Sequence, residues 1–284
     1  MHIDFCKYHG LGNDYIVIDP NKTDFPESTE LVRRICHRNF GPGSDGILLG
    51  PTLNSGKIGL RILNPDGSEA EKSGNGLRIF ARYLFDAGYL KDRKFSVVTL
   101  GGTVHVEIID DQARLIRIDM GVANFVSDSL PVSGPAREIL NQPLTISDSE
   151  YHISCVSMGN PHCVVLLPTV SAGLAREIGP LLEHHAIFPR RTNVQFMKML
   201  DRSNIQIEIW ERGAGYTLAS GSSSCAAASV AHRLGLTGPA IKVHMPGGVI
   251  DIDIRADKHV LMTGPVAAVV RGTLPAEFFR DAGL

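Results

Sequence analysis

Two segments of the chain match each other at a constant spacing of 147 residues, which is the distance from Ser73 to Ser220. The first runs from Asn64-Pro65-Asp66-Gly67 to Ser73-Gly74-Asn75-Gly76, and the second from Glu211-Arg212-Gly213-Ala214-Gly215 to Ser220-Gly221-Ser222-Ser223. Gly12-Asn13-Asp14 and Gly159-Asn160-Pro161, each before an apolar run, keep the same spacing. Solenoid repeats recur every 20 to 50 residues or so. The longer period therefore predicts a duplicated domain, with a pseudo-twofold arrangement that brings matching positions together in one cleft.

The length of the chain fits this duplication. It has 284 residues, of which 43% are hydrophobic, enough for two ordinary cores. We expect an N-terminal domain over residues 1–120, to which 265–284 returns, and a C-terminal domain over 121–264. The Pro- and Ser-rich stretch 122–142 is the predicted connector.

Apolar and β-branched clusters predict a similar order of elements in each half: strand, helix, strand pair, helix and β-hairpin. Gly101-Gly102 and Gly247-Gly248 are expected to turn the hairpins, and Ser28 is expected to cap the first helix. The predicted fold class is α/β (α+β), with two pseudo-symmetric domains that each wrap a mixed sheet around a central helix. Helices are predicted at 28–38, 76–87, 172–185 and 224–234, and strands at 15–18, 58–63, 95–100, 103–109, 113–119, 151–157, 162–167, 194–199, 205–210, 241–244, 249–255 and 259–263.

Charge and composition exclude several classes of partner. The net charge of −2 and the absence of a dense Lys/Arg run argue against nucleic acid. No apolar stretch approaches the 18 or so residues of a membrane span, and the amino terminus lacks the features of a signal peptide, so we expect a cytoplasmic protein. Five cysteines without Cys-x-x-Cys spacing indicate neither a disulfide framework nor a zinc site. No metal is expected, and the cysteines are expected to be buried.

Ser73 and Ser220 each end a polar loop where a helix opens. The first backbone N–H groups of a helix lack intrahelical partners, which makes such an end a ready anion site. Two of these ends facing each other would hold a carboxylate from both sides. The alternative is that the serines are simple N-caps, a role that serine fills well.

In these segments the chain resembles the diaminopimelate epimerase family. The resemblance covers nearly the whole chain and rests on His9-Gly10-Leu11-Gly12-Asn13-Asp14, Asn64-Pro65-Asp66-Gly67-Ser68-Glu69, Gly74-Asn75-Gly76, Met158-Gly159-Asn160-Pro161-His162 and Glu211-Arg212-Gly213-Ala214-Gly215. It implies a cofactor-independent isomerase that interconverts LL- and meso-diaminopimelate, for lysine and cell-wall precursor biosynthesis. In that chemistry a thiolate removes the α-proton from one face and a thiol returns one to the other, without pyridoxal phosphate.

The resemblance also implies a set of site residues for a small amino-acid substrate. A homodimer is a separate expectation. The catalytic positions are Ser73 and Ser220, with His162 and Glu211 tuning their proton transfers. The backbone amides of Gly74, Asn75, Gly221 and Ser222 would hold the α-carboxylate. The remaining substrate amino and carboxylate groups would contact Asn13, Asn64, Asn160, Asn193, Glu211 and Arg212.

The chain departs from this family at the two reactive positions, where serine replaces cysteine. A thiol with a pKa near 8.5 is a few per cent ionised at pH 7, whereas an alcohol has a water-like pKa near 16. The gap is about 10 kcal/mol of ionisation free energy, and a helix dipole contributes only about 0.3 to 2 kcal/mol. Epimerisation through two serines should therefore be slow. Cys225 is expected to be buried packing, and Tyr216 stands where the family commonly has glutamate.

Three interpretations follow. The chain is a diaminopimelate epimerase, either with its cysteines replaced by experiment or assigned that activity by similarity. Alternatively, it is a paralogous isomerase or racemase of another amino or unsaturated acid with a more acidic C–H, using His162 or Glu211 as the base. The third is a catalytically silent amino-acid-binding protein.

Overall fold

The computed structural model describes residues 2–54, 56–126, 130 and 132–281. The chain divides into two compact units: the residues up to Ile118 together with those from Gly264 onward, and Asp119–Thr263. The predicted connector 122–142 lies partly outside the described residues, at 127–129 and 131. The predicted returning segment 265–284 extends three residues beyond them.

The elements are sheet-dominated, with five helices among the described residues. In chain order they are β1 (Ile3–Gly10), β2 (Asn13–Ile18), α1 (Thr29–Cys36), β3 (Ile47–Asn54), β4 (Lys57–Leu63), β5 (Glu69–Ala70), α2 (Gly74–Asp86), β6 (Lys94–Thr99), β7 (Gly102–Ile108), β8 (Leu115–Val122), β9 (Gln142–Ile146), β10 (Ser149–Ser157), β11 (Pro161–Leu166), α3 (Ala172–Glu183), β12 (Asn193–Asp201), β13 (Asn204–Glu211), β14 (Gly215–Thr217), α4 (Gly221–Arg233), β15 (Ala240–Met245), β16 (Gly248–Ile254), β17 (His259–Pro265), β18 (Ala267–Leu274) and α5 (Ala276–Asp281).

The first unit is a mixed sheet. Its main strand order is β18-β1-β2-β3-β4-β6-β7-β8, with β5 paired to β4. Two of these pairings are parallel, β2 with β3 and β4 with β6. Parallel neighbours need a crossover, and the crossovers contain α1 and α2. Helix α2 is almost entirely buried from Gly74 to Leu84, which makes it the central helix of the unit.

The second unit repeats this pattern. Its order is β9-β10-β11-β12-β13-β15-β16-β17, with β14 paired to β13. The parallel pairs are again two, β11 with β12 and β13 with β15, and their crossovers contain α3 and the buried α4. The predicted fold class and the duplication are confirmed, because each half has the same two crossovers in the same order.

The predicted elements overlap observed ones, but two helix starts were wrong. Helices α2 and α4 begin at Gly74 and Gly221, directly after the serines, rather than at 76 and 224. Glycine and serine are weak helix formers, so propensity alone placed these starts too late. The cap at Ser28 is confirmed, since its Oγ accepts from Leu31 N at 3.0 Å.

The two glycine hairpins turn one residue earlier than predicted. Thr99 pairs with Gly102 and Met245 with Gly248, so each second glycine is already the first residue of a strand. Both have positive φ, +105° at Gly102 and +137° at Gly248, a conformation that favours glycine. Within the described part of the chain, no helix is long and apolar enough to cross a membrane.

Candidate active site

The predicted site residues fall into two groups, one in each unit. We name the group in the first unit the first half-site; it consists of Asn13, Asn64, Ser73, Gly74 and Asn75. The second half-site, in the other unit, consists of Asn160, His162, Asn193, Glu211, Arg212, Ser220, Gly221 and Ser222. Ser73 and Ser220 lie at the amino termini of the central helices of their own units, α2 and α4.

Ser73 is the N-cap of α2. Its backbone is extended, and its Oγ accepts a hydrogen bond from Gly76 N at 3.0 Å. The same oxygen lies 3.2 Å from the Tyr15 hydroxyl, which projects from β2. In this half-site the simple capping role is therefore observed, and the serine hydroxyl is already engaged on two sides.

Asn13 and Asn75 belong to one chain of hydrogen bonds. Arg78 Nη2 donates to Asn75 Oδ1 at 2.6 Å, and Asn75 Nδ2 donates to Asn13 Oδ1 at 2.9 Å. Asn13 Nδ2 then donates to Asp45 Oδ2 at 2.7 Å. Arg78 is completely buried. These bonds fix both asparagine side chains before any ligand binds, which is the preorganisation that a binding site needs.

Charged side chains surround Asp45, the residue at which this series of hydrogen bonds ends. Asp14 lies 2.8 Å from Lys7 Nζ, and Arg38 binds both Asp14 and Asp45. Burial by itself would raise the pKa of Asp14, but the hydrogen bonds from Arg38 and Lys7 lower it below its usual value. Asp14 therefore stays charged at neutral pH, and its ion pairs with Lys7 and Arg38 hold the residue next to Asn13 in place.

Asn64 lies in a tight turn after β4. Gly67 N donates to Asn64 O at 2.9 Å, and Gly67 has a φ of +87°. A Cβ at Gly67 would lie 2.7 Å from Thr29 Cγ2, so this turn requires glycine for both conformation and space. The Asn64 side chain donates to Ser68 Oγ at 2.9 Å and remains partly exposed.

Ser220 occupies the same helix position as Ser73 but makes different contacts. Its side chain forms no capping hydrogen bond, and the residue is 5% exposed. Its carbonyl oxygen accepts from the Ser224 hydroxyl at 2.8 Å. Cys225, one residue further into α4, is completely buried, as predicted.

His162 is buried beside Asn160. Its Nε2 lies 2.9 Å from Asn160 Oδ1, and the residue is 1% exposed. Burial lowers the pKa of His162 to about 3; Gln195 opposes this shift and Arg212 adds to it. The ring is therefore neutral at physiological pH. Among the described residues, no hydrogen bond joins His162 to Ser220.

Asn193 ties the second half-site to its loop. Its Nδ2 donates to Pro161 O at 2.8 Å, and its Oδ1 accepts from Arg212 N at 3.0 Å. The Arg212 guanidinium is exposed and donates to Arg190 O at 3.3 Å. Glu211 ends β13 and is half-buried. Asn193 thus fixes the backbone from which both charged side chains project.

Tyr216 is held on the sheet side of this loop. Its hydroxyl donates to Glu208 Oε2 at 2.7 Å, and the Arg176 guanidinium lies 4.1 Å from its ring centroid. These contacts occupy both the hydroxyl and the ring face of the residue that replaces the expected glutamate.

Sequence reasoning missed Tyr15, Arg78 and Gln195, which contact predicted site residues. Each carries a polar group in a mostly buried part of a strand or helix: Tyr15 in β2, Arg78 in α2 and Gln195 in β12. Arg78 and Gln195 are both completely buried. A buried polar residue must have a partner, so these positions carried a usable signal.

Comparison with known proteins places these half-sites in a family context. Residues 5–126 and 154–269 match the family model described as diaminopimelate epimerase. The chain is 53% identical to diaminopimelate epimerase 2 of Nostoc sp. strain PCC 7120, over 97% of this chain and 96% of the relative. It is 39% identical to diaminopimelate epimerase of Moorella thermoacetica, over 98% and 100%. A solved hydroxyproline epimerase from Agrobacterium vitis shares the fold, with a TM-score of 0.70, 15% identity, and coverage of 96% of this chain and 91% of that one.

Proposed function

Because the chain belongs to the diaminopimelate epimerase family, we propose that it is an isomerase of LL- and meso-diaminopimelate, with Ser73 and Ser220 at the acid and base positions. The observation that carries this proposal is the duplicated framework of polar residues at the amino termini of α2 and α4. Each terminus has a serine at the N-cap position. In the first turn of α2, Asn75 is bonded to Asn13, and in the first turn of α4, Ser223 is bonded to Gln195. We further propose that it acts in the cytoplasm, in lysine and cell-wall precursor biosynthesis.

The proposed binding roles follow from the donors and acceptors of the half-sites. The amides of Gly74, Asn75, Gly221 and Ser222 belong to the first turns of α2 and α4, where N–H groups lack intrahelical partners. They would hold the α-carboxylate and the charge that spreads onto it when the α-proton leaves. The exposed Arg212 guanidinium would pair with a carboxylate, and the side chains of Asn13, Asn64, Asn160, Asn193 and Glu211 would hold the other polar groups.

Inversion at the α-carbon needs a base on one face and an acid on the other. The base takes the α-proton, and the electron pair left on carbon takes a proton from the acid, so the two groups exchange protonation states. Serine is poorly suited to both steps, because ionising an alcohol costs about 10 kcal/mol more free energy than ionising a thiol. His162 offers little compensation, since burial makes it a weak base. We therefore propose that proton transfer by this chain is impaired.

The bonds of Ser73 favour a second candidate. A hydroxyl engaged by both Gly76 N and Tyr15 is suited to holding a ligand more than to removing a proton. This supports an amino-acid-binding protein, or an isomerase of an acid with a more acidic C–H, built on the same polar framework.

Calorimetric titration tests which class of ligand the protein binds. meso-Diaminopimelate is expected to bind, and L-lysine, which lacks the distal carboxylate, should bind at least tenfold more weakly. Arg212→Met should weaken diaminopimelate binding by about 10- to 100-fold, the loss of a charge-assisted hydrogen bond, with exposed Arg255→Met as the matched control. Equal binding of lysine and diaminopimelate would contradict the proposed substrate.

We also propose that the protein is a homodimer. Support comes from β18, which pairs in the described residues with β1 alone and exposes Val269 and Val270, at 54% and 48%. An exposed apolar edge strand is a template for pairing with another chain. Val270→Lys should convert a dimer to a monomer in light scattering, and a monomeric starting protein would refute the proposal.

A further inference from the structure

Gln195 occupies a buried polar position between β11 and α4. It lies in β12, is 0% exposed, and its Nε2 donates to Ser223 Oγ at 3.0 Å. Ser223, in the first turn of α4, is also 0% exposed. In the parallel pairing of β11 with β12, His162 is opposite Asn193. Residues two apart on a strand point to the same face, so Gln195 shares a face with His162.

Two buried atoms in this cluster lack a well-aligned partner. Within the described part of the chain, neither His162 Nδ1 nor Gln195 Oε1 has a partner with hydrogen-bond geometry. The Gln195 side chain nevertheless interacts with the imidazole and favours its protonation. Leaving a buried polar atom unpaired costs about 1–3 kcal/mol. A hydrogen bond between these two atoms would remove this cost for both.

The direction of that bond is set by Ser223. Because the Gln195 amide nitrogen is bound to Ser223 Oγ, the atom that Gln195 has left for the ring is the carbonyl oxygen. A carbonyl oxygen only accepts, so the ring must donate from Nδ1. A neutral imidazole has one N–H, and its other nitrogen is then the acceptor.

We propose that Gln195, anchored by Ser223, is a positioning residue that holds His162 in the tautomer with its proton on Nδ1 and its lone pair on Nε2. In this state the carboxamide of Asn160, 2.9 Å from Nε2, donates through its nitrogen. This requires a half-turn of the Asn160 carboxamide, which puts its nitrogen where the oxygen lies, while the Gln195 carboxamide keeps its nitrogen on Ser223. A half-turn of Gln195 instead of Asn160 gives the opposite tautomer, Nε2–H, and the experiment below distinguishes the two. The lone pair is thereby directed at Asn160, a proposed substrate ligand.

The proposed tautomer of His162 does not depend on the proposed function. Only a role for that tautomer in proton transfer rests on the proposed function. The test is long-range ¹H–¹⁵N correlation on protein labelled at histidine, with His162→Asn to assign the signal. The expected result is a protonated Nδ1 and an unprotonated Nε2 at pH 7. Gln195→Leu should shift the population toward Nε2–H, and Ser223→Ala should do so more weakly. Gln142→Leu, at a half-exposed glutamine of β9, should change nothing.

Rescue distinguishes positioning from mere packing. Gln195→Glu keeps an acceptor oxygen and should keep the Nδ1–H tautomer while raising the pKa of His162. An Nε2–H ring in the unmodified protein would by itself overturn the proposal. An unchanged tautomer in a folded Gln195→Leu protein would also overturn it. These spectra need no turnover, so a failure of diaminopimelate binding would refute the proposed function and leave the tautomer result intact.

Discussion

The two half-sites occupy equivalent places in a duplicated framework but connect their polar groups differently. Tyr15 and His162 are at matching positions, 147 residues apart like the serines. Tyr15 is bonded to Ser73, whereas His162 is bonded to Asn160 and not to Ser220. Ser73 therefore caps its helix through a side chain held from two directions. Ser220 stands at the same backbone position with no capping bond.

A second pair of matching positions differs in the same way. In the first unit a Cβ on Gly76 would lie 3.1 Å from Leu48 Cδ2, an apolar contact between β3 and α2. The matching positions in the second unit are Ser223 and Gln195, joined by a buried hydrogen bond. The backbone framework was kept through duplication while the bonds between side chains diverged. The two half-sites are thus chemically unequal.

Acid should destabilise the second unit through His162. The native ring stays neutral down to a pKa of about 3, while the unfolded chain takes up a proton below about pH 6.5. The unfolded state then binds more protons, so stability falls as pH drops from about 6.5 toward 3. At pH 5 the expected loss is about 2 kcal/mol relative to pH 7.5. Urea unfolding should show this slope, and His162→Gln should remove it.

The control for this measurement is His184→Gln, at an exposed histidine of the same unit, which should leave the slope unchanged. In the first unit, the contribution of Asp14 to stability is lost only at lower pH. Asp14 has a lowered pKa, so its contribution is complete above its unfolded pKa near 3.9 and is lost only as pH falls through the lower folded value. A pH slope unaffected by His162→Gln would break the distinction between the two units.

Asn193 should matter more for stability than Asn64. Removing the Asn193 side chain leaves Pro161 O and Arg212 N without their partner, at about 1–3 kcal/mol. Asn64→Ala removes one bond to an exposed serine and should cost about 0.5 kcal/mol. Urea midpoints of the two alanine variants give the comparison directly, and a larger loss at Asn64 would reverse it.

The smallest expected difference in stability is between alanine substitutions at the two N-cap serines. Ser73→Ala should destabilise by about 1 kcal/mol, the usual value of an N-cap bond. Ser220→Ala should change the free energy of unfolding by no more than about 0.5 kcal/mol, because no side-chain cap is lost. Thermal unfolding of the two variants measures this difference. Equal losses would mean that Ser220 caps α4 in solution.

Local patterns were enough to predict most elements and the site segments. Glycine-rich polar loops before apolar helices placed Ser73 and Ser220 at helix starts, and period-two patterns predicted the hairpin strands. The contacts that distinguish the half-sites could not be predicted from the sequence, because they depend on the pairing register of strands that are distant in the sequence. Gln195 shares a face with His162 only because β11 pairs in parallel with β12, with His162 opposite Asn193, 31 residues away in the sequence. The edge strand β18 escaped prediction because both its faces are largely exposed, which removes the alternating pattern.

Deuterium incorporation at the α-carbons of LL- and meso-diaminopimelate tests the serine assignment most directly. Four proteins should be compared in deuterated buffer: the unmodified protein, Ser73→Cys, Ser220→Cys, and the variant with both changes. We expect the double variant to exchange and invert roughly 10²- to 10⁴-fold faster than the unmodified protein, the usual contribution of a positioned acid or base. Each single variant should fall between them. If the unmodified protein exchanges as fast as the double variant, the serines do not limit proton transfer and another residue supplies the base.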